Sequence, residues 1–95
     1  MSFRNKASRD IALGELSKES RRILSVTLHK LARKRLAYLA AVESLNDLKV
    51  RSGLGLHHLK GDRKGQHAIM INDQYRICFA WDGKNAEVVE IVDYH

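Results

Sequence analysis

The stretch HAIMINDQYRICFAWDG, residues 67–83, carries the alternating pattern and the turn signals of a β-hairpin. Apolar side chains occupy every second position of residues 75–81, which is the period of a strand with one buried face. Residues 72–74 predict a turn before this strand, and Asp82-Gly83 predicts a tight turn after it. The strand therefore buries its aromatic side and directs Arg76 to the opposite face.

Three more strands are predicted around this one. Residues 56–60 and 67–71 are predicted to be joined by a hairpin loop over residues 61–65, and residues 87–94 complete the set. The turns between successive strands are short, so the pattern favours an antiparallel meander of about four strands.

The first half of the chain has a helical period. Residues 18–42 predict one long amphipathic helix beginning after Ser17, and a shorter helix over residues 5–13 ends at Gly14. Ser44 begins one further helical turn. The order of elements predicts an α+β fold, in which an N-terminal helical hairpin packs on a twisted antiparallel sheet within a single domain spanning residues 1–95.

The composition is strongly basic. A formal charge of +6 and a pI of about 9.8 favour binding to a polyanion such as nucleic acid, or to an acidic protein. The basic face of the long helix is also compatible with an ordinary solvated surface. No apolar run is long enough to cross a bilayer, residues 1–10 lack the apolar centre of a signal peptide, and Cys78 is a lone cysteine. We therefore expect a cytoplasmic protein that does not bind membranes.

The second half of the chain concentrates side chains that suit RNA cleavage. An attack by the 2′-hydroxyl requires no metal when side chains move two protons and cations hold the phosphorane charge. Histidine suits the proton transfers, and lysine or arginine suits the charge. We predict no cofactor, and a zinc site has no recognisable ligand spacing. The candidates are His57, His58, Lys60, Arg63, Lys64, His67, Arg76 and the terminal Asp93-Tyr94-His95.

Each candidate also has an ordinary structural interpretation. Arg63 and Lys64 lie in the predicted loop, where they either grip RNA phosphates or remain solvated turn residues. His57 and His58 are neighbours on a strand and point to opposite faces. Strict alternation puts His58 on the face of Lys60, and His57 only if the strand twists or bulges.

Several motifs together resemble a known family. Leu59-Lys60-Gly61-Asp62, residues 71–77 (INDQYRI) and the closing Asp93-Tyr94-His95 closely resemble the plasmid-maintenance killer toxins, the HigB-like branch of the RelE/ParE superfamily. The resemblance implies a RelE/ParE-like fold and a ribosome-dependent endonuclease that cuts translated mRNA. It also implies a cognate antitoxin, usually containing a helix-turn-helix. The chain departs from many relatives in having no proline before the first strand and histidine instead of an acid at position 57.

The resemblance also selects site residues. Carried over onto matching positions, it implies catalytic roles for His57, Lys60, Arg76, Asp93, Tyr94 and His95. It selects His57 where alternation selects His58, and we follow the resemblance. We expect an mRNA endonuclease whose partners are the antitoxin, the ribosome and mRNA. The alternatives are a ParE-like toxin that inhibits DNA gyrase, which shares the fold, and an RNA-binding module without activity.

Overall fold

The computed structural model describes residues 1–51 and 53–94 of the chain. Within these residues the helices are α1 (Lys6–Leu13), α2 (Lys18–Ile23), α3 (Val26–Ala41) and α4 (Leu45–Val50). The strands are β1 (His57–His58), β2 (Gln66–Met70), β3 (Tyr75–Trp81) and β4 (Ala86–Asp93), and a 3₁₀ turn covers Gly61–Arg63. The α+β class predicted from the sequence is confirmed.

The strands form one antiparallel sheet in the order β1-β2-β3-β4. Strand β3 is central and has the bounds that its alternation predicts. Its residues Ile77 and Phe79 are fully buried in a core that they share with Leu36 and Leu39 of α3. Arg76 lies on the other face of the sheet, where it pairs with Met70 of β2. The helices therefore cover one face and leave the Arg76 face open.

The caps predicted at Ser17 and Gly14 are present, and Asn5, which was predicted to lie within the first helix, is the N-cap of α1. The Asn5 side chain accepts a hydrogen bond from the Ser8 amide at 2.9 Å at the start of α1, and Ser17 accepts one from the Ser20 amide at 3.1 Å at the start of α2. Gly14 ends α1 with φ of 77°, a left-handed conformation that glycine adopts without steric cost.

The prediction of one helix over residues 18–42 is wrong. The chain is extended at Leu24, so α2 ends at Ile23 and α3 begins only at Val26. The break directs Leu24 into the core, where it is 1% exposed. The buried His29 ring replaces the missing helical hydrogen bonds, since its Nε2 lies 2.8 Å from the Leu24 carbonyl oxygen and 3.2 Å from that of Ser20.

The N-terminal segment closes the β4 edge of the sheet. Phe3 forms a parallel bridge with Val89, whose amide donates to the Ser2 carbonyl at 2.9 Å. A bulge lies here in β4, where Val88 has a positive φ of 53° and donates its amide to the Ser2 hydroxyl at 2.9 Å. No helix in the described part of the chain is long and apolar enough to span a membrane.

Strand β1 is shorter than predicted. Only His57 and His58 are in strand conformation, whereas residues 56–60 were expected to be. Lys60 already precedes the 3₁₀ turn that begins at Gly61, and Gly61 has a positive φ of 65°. Side-chain alternation therefore stops before Lys60.

Candidate active site

Two adjoining depressions lie on the open face of the sheet. One has a volume of about 410 Å³ and the other about 390 Å³, and both are lined by His57 and Tyr94. We call them together the sheet hollow. Its polar lining consists of His57, Lys60, Arg63, Arg76 and Tyr94. Five of the residues singled out from the sequence therefore line one surface, although they come from three separate segments of the chain, residues 57–63, 76 and 94.

Arg76 is held in place from two sides. Its Nη1 donates hydrogen bonds to the Asn72 carbonyl in the turn before β3 and, at 3.3 Å, to the Tyr75 carbonyl at the start of β3. Its guanidinium carbon lies 5.2 Å from the centre of the Tyr94 ring, within the range of a cation–π interaction. A central strand, two carbonyls and an aromatic face therefore fix the direction of this charge.

His57, and not His58, faces the sheet hollow. His57 pairs with Ala68, which belongs to the small cluster with Cys78 and Leu59 on the open face. His58 points to the other face, where its ring centre lies 4.3 Å from that of the buried His67. Alternation had selected His58 because it assumed a strand reaching Lys60. The strand stops at His58, so His57 and Lys60 line the same depression.

The two basic residues that follow β1 in the hollow differ in their partners. In residues 1–51 and 53–94, nothing forms a hydrogen bond or an ion pair with the Lys60 ammonium group, which is exposed. Arg63 is restrained, because its Nη1 donates to Gln66 Oε1 at 3.2 Å and its Nη2 lies 3.0 Å from Glu90 Oε1. Lys60 is thus available to an incoming anion, whereas Arg63 must first release the Glu90 carboxylate before it can bind one.

Lys64 and Asp93 do not line the sheet hollow, whereas Tyr94 does. Lys64 is exposed and does not line the hollow. The register pairs Asp93 with Tyr75 on the helix-covered face. The two Asp93 carboxylate oxygens accept hydrogen bonds from the side-chain amide of Gln74 at 3.3 and 3.2 Å. Tyr94 does line the hollow. The predicted role of His95 falls outside the described residues.

Glu90 is a member of this surface that the sequence reasoning missed. It pairs with Cys78 on the open face, and its Oε1 lies 3.5 Å from Arg4 Nε as well as beside Arg63. Alternation along β4 could have identified it, because Glu90 lies two residues before Val92 and Val92 pairs with Arg76 on the open face. Burial is the main cause that raises the pKa of the neighbouring Cys78 thiol, so this thiol stays protonated at neutral pH.

The arrangement suits an RNA phosphate. Three cations and an imidazole line the sheet hollow together with an aromatic ring, a combination that can hold a phosphate, stack a base and move a proton. Among the described residues no group of three or more His, Cys, Asp or Glu side chains is placed to hold a metal ion.

Four helices with a four-stranded antiparallel sheet form an α+β fold that is consistent with the class of RelE-like toxins. The comparison with family models agrees, since the model described as "RelE-like toxin of type II toxin-antitoxin system HigB" matches residues 3–95. This chain belongs to the HigB-like toxin family.

A curated relative supports the same family. Toxin HigB-1 of Vibrio cholerae serotype O1 (strain ATCC 39315 / El Tor Inaba N16961) is 32% identical to this chain over 60 residues. The matched segment covers 63% of this chain and 63% of the relative, so it spans less than two thirds of the relative's length.

Proposed function

We propose that this toxin is a ribosome-dependent endonuclease that cuts mRNA during translation. The observation that supports the proposal is the convergence of His57, Lys60, Arg76 and Tyr94 on one hollow of the open sheet face. The basic charge of the chain supports it as well, because a net charge of +6 attracts RNA before any specific contact forms.

The chemistry follows from the groups in the hollow. The 2′-oxygen of the nucleotide before the scissile bond attacks the phosphorus, forming a 2′,3′-cyclic phosphate and breaking the bond to the 5′-oxygen. One of His57 and His95 takes the proton of the 2′-hydroxyl, and the other, in its protonated form, gives a proton to the leaving 5′-oxygen. Lys60 and Arg76 neutralise the extra negative charge of the phosphorane.

The remaining predicted residues have supporting roles in this proposal. Tyr94 holds the Arg76 guanidinium and provides a face on which a base can stack. Asp93 orients His95 at the end of the chain. Arg63 and Lys64 bind the RNA backbone on either side of the cleaved nucleotide, and Arg63 does so after releasing Glu90.

The partner proposed for this toxin is an acidic antitoxin containing a helix-turn-helix. A protein that covers or distorts the sheet hollow would oppose its positive charge and keep RNA out. It would also stabilise a 95-residue chain by binding only its folded form. Co-purification of the toxin with the product of an adjacent reading frame tests this part of the proposal.

Transcript mapping tests the endonuclease itself. Brief induction of the native chain should produce new 5′ ends within translated regions, and Arg76→Ala should abolish them while its circular dichroism stays native. Lys60→Ala and Lys84→Ala form a matched pair, since each removes one exposed lysine and only Lys60 lines the hollow. Lys60→Ala should lose most cleavage, and Lys84→Ala should lose little.

Three results would contradict the proposal. The first is growth arrest that persists in Arg76→Ala. The second is DNA damage without new transcript ends, which would indicate gyrase inhibition. The third is RNA binding with no cleaved product when translating ribosomes are supplied, which would indicate a binding module.

A further inference from the structure

A second hollow lies apart from the sheet hollow, on the helical side of the molecule. It has a volume of about 480 Å³ and lies between the second half of α3 and the segment that leads to β1. We call it the helix hollow. Its lining residues are Leu31, Lys34, Arg35, Ala37, Tyr38, Arg51 and Leu54. Three of them are cations and none is acidic, so the hollow is strongly positive.

The cations of the helix hollow lack counter-charges. Among the described residues no carboxylate lies within 4.0 Å of the charged atoms of Lys34, Arg35 or Arg51. The Nε of Arg35 is in addition buried and, within residues 1–51 and 53–94, has no hydrogen-bond partner. A buried donor without an acceptor is costly, and an arginine N–H is satisfied best by a phosphate or a carboxylate. An anion bound in the helix hollow would therefore stabilise the buried Arg35 side chain.

The helix hollow also has a planar surface. The Arg51 guanidinium carbon lies 4.3 Å from the centre of the Tyr38 ring. A guanidinium in cation–π contact with a tyrosine provides a flat, polarised surface, and single-stranded RNA bases stack on arginine and aromatic planes of this kind.

We infer that the helix hollow binds one nucleotide of single-stranded RNA away from the cleaved bond, with its phosphate at Arg35 and Lys34 and its base on the Arg51–Tyr38 pair. The inference rests on the proposed function in taking RNA as the ligand. Buried Leu54 lines the helix hollow, and the next residues, Gly55 and Leu56, line the sheet hollow. The two cationic hollows therefore flank one short segment of chain, and a polyanion crossing this segment contacts both. This continuity favours RNA over an acidic peptide.

Binding of a non-cleavable RNA tests the inference. The probe is a fluorescein-labelled, 2′-O-methylated single strand of 12 nucleotides, and its affinity for the full chain is measured by anisotropy at several salt concentrations. Arg35→Gln combined with Arg51→Gln should weaken RNA binding roughly tenfold. It should also reduce the slope of log affinity against log salt concentration by about 0.7 for each lost phosphate contact. Arg51→Lys alone should keep the native salt dependence and lower the affinity, because lysine keeps the positive charge but has no planar face.

Lys30→Gln is the matched control. Lys30 is exposed on the same helix and does not line the helix hollow, so its replacement removes one charge without touching the proposed site. It should leave the affinity within about twofold. In the unmodified chain, the same RNA should shift the backbone amide NMR signals of Tyr38 and Arg51, a readout that does not depend on any variant folding.

Two outcomes would overturn the inference. One is a double variant that binds RNA like the native chain. The other is a set of Tyr38 and Arg51 signals that respond to an octaglutamate peptide and not to RNA, which would assign the hollow to an acidic protein. These results are separable from the endonuclease test, because the probe cannot be cut. Binding at the helix hollow without transcript cleavage would leave this inference standing and reject the proposed function.

Discussion

The guanidinium carbon of Arg76 lies 5.2 Å from the centre of the Tyr94 ring, which joins the central strand of the sheet to the last residue described. The amide of Tyr94 donates to the Gln74 carbonyl at 2.7 Å, so the backbone on both sides of this contact is fixed. Tyr94 is therefore part of the sheet hollow, since its ring positions the arginine that is proposed to face the scissile phosphate.

Substitution of Tyr94 tests whether mRNA cleavage depends on the aromatic ring of this residue or on its hydroxyl group. Tyr94→Phe keeps the aromatic face and should retain cleavage, whereas Tyr94→Leu removes it and should reduce cleavage about two- to fivefold, the value of an exposed cation–π contact. Cleavage is measured by primer extension on a translated message with purified ribosomes. Equal losses in both variants would show that the hydroxyl takes part in the reaction.

The two adjacent histidines provide a second test of the site. His57 lines the sheet hollow, whereas His58 lies on the other face with its ring centre 4.3 Å from that of His67, although the two histidines are consecutive in the chain. His57→Gln should slow cleavage by about 100-fold or more, the usual contribution of a positioned acid or base, and His58→Gln should leave the rate nearly unchanged. A larger loss in His58→Gln than in His57→Gln would contradict the geometry proposed for the reaction.

The sequence predicts the sheet better than it predicts the helices. Strand β3 has the predicted bounds, and Arg76 lies on the predicted face, because a period of two with tight turns on both sides admits one register. The break at Leu24 is not visible in the pattern, since the apolar stripe continues across it. It depends on the His29 ring reaching back to the Leu24 carbonyl, a contact between side chain and backbone that no periodicity reports.

The candidate site shows the same division. Arg76 and Tyr94 were predicted from alternation and resemblance, and both line the sheet hollow. Alternation could not predict that His57 lies on the face of the sheet hollow, because strand β1 is only two residues long. The helix hollow could not be predicted at all, since Tyr38 on α3 and Arg51 after α4 meet only when the chain has folded.

Removing the Glu90 carboxylate should strengthen RNA binding. Glu90 Oε1 lies 3.0 Å from Arg63 Nη2, so Glu90→Gln removes one negative charge and leaves Arg63 free to bind a phosphate. We expect tighter RNA binding. We also expect the slope of log affinity against log salt concentration to become steeper by about 0.7, because one extra phosphate contact forms. Glu43→Gln, which changes the charge equally at an exposed position away from the hollow, is the control. Identical behaviour of the two variants would show that Arg63 does not contact RNA.

Loss of the His29 ring should destabilise the helical layer. The ring is buried and its Nε2 lies within hydrogen-bond distance of the carbonyls that end α2, so His29→Leu leaves these acceptors unsatisfied. We expect a decrease of about 1–3 kcal/mol in the free energy of unfolding, measured by urea titration. Lys30→Gln, on the exposed side of the same helix, should change it by less than about 0.5 kcal/mol. Equal effects of the two substitutions would contradict a capping role for His29.

The buried His67 predicts a loss of stability in mild acid. Burial, and secondarily the charge of His58, lowers the pKa of His67 below its usual value of 6.5. The unfolded chain therefore binds a proton more readily than the folded one, so stability is full above pH 6.5 and decreases as the pH falls below it. Urea midpoints measured from pH 8 to pH 5, on about half-unit steps, should fall less in His67→Phe than in the native chain. His57→Gln, which removes an exposed histidine, should keep the native slope. An unchanged slope in His67→Phe would assign the acid sensitivity to other groups.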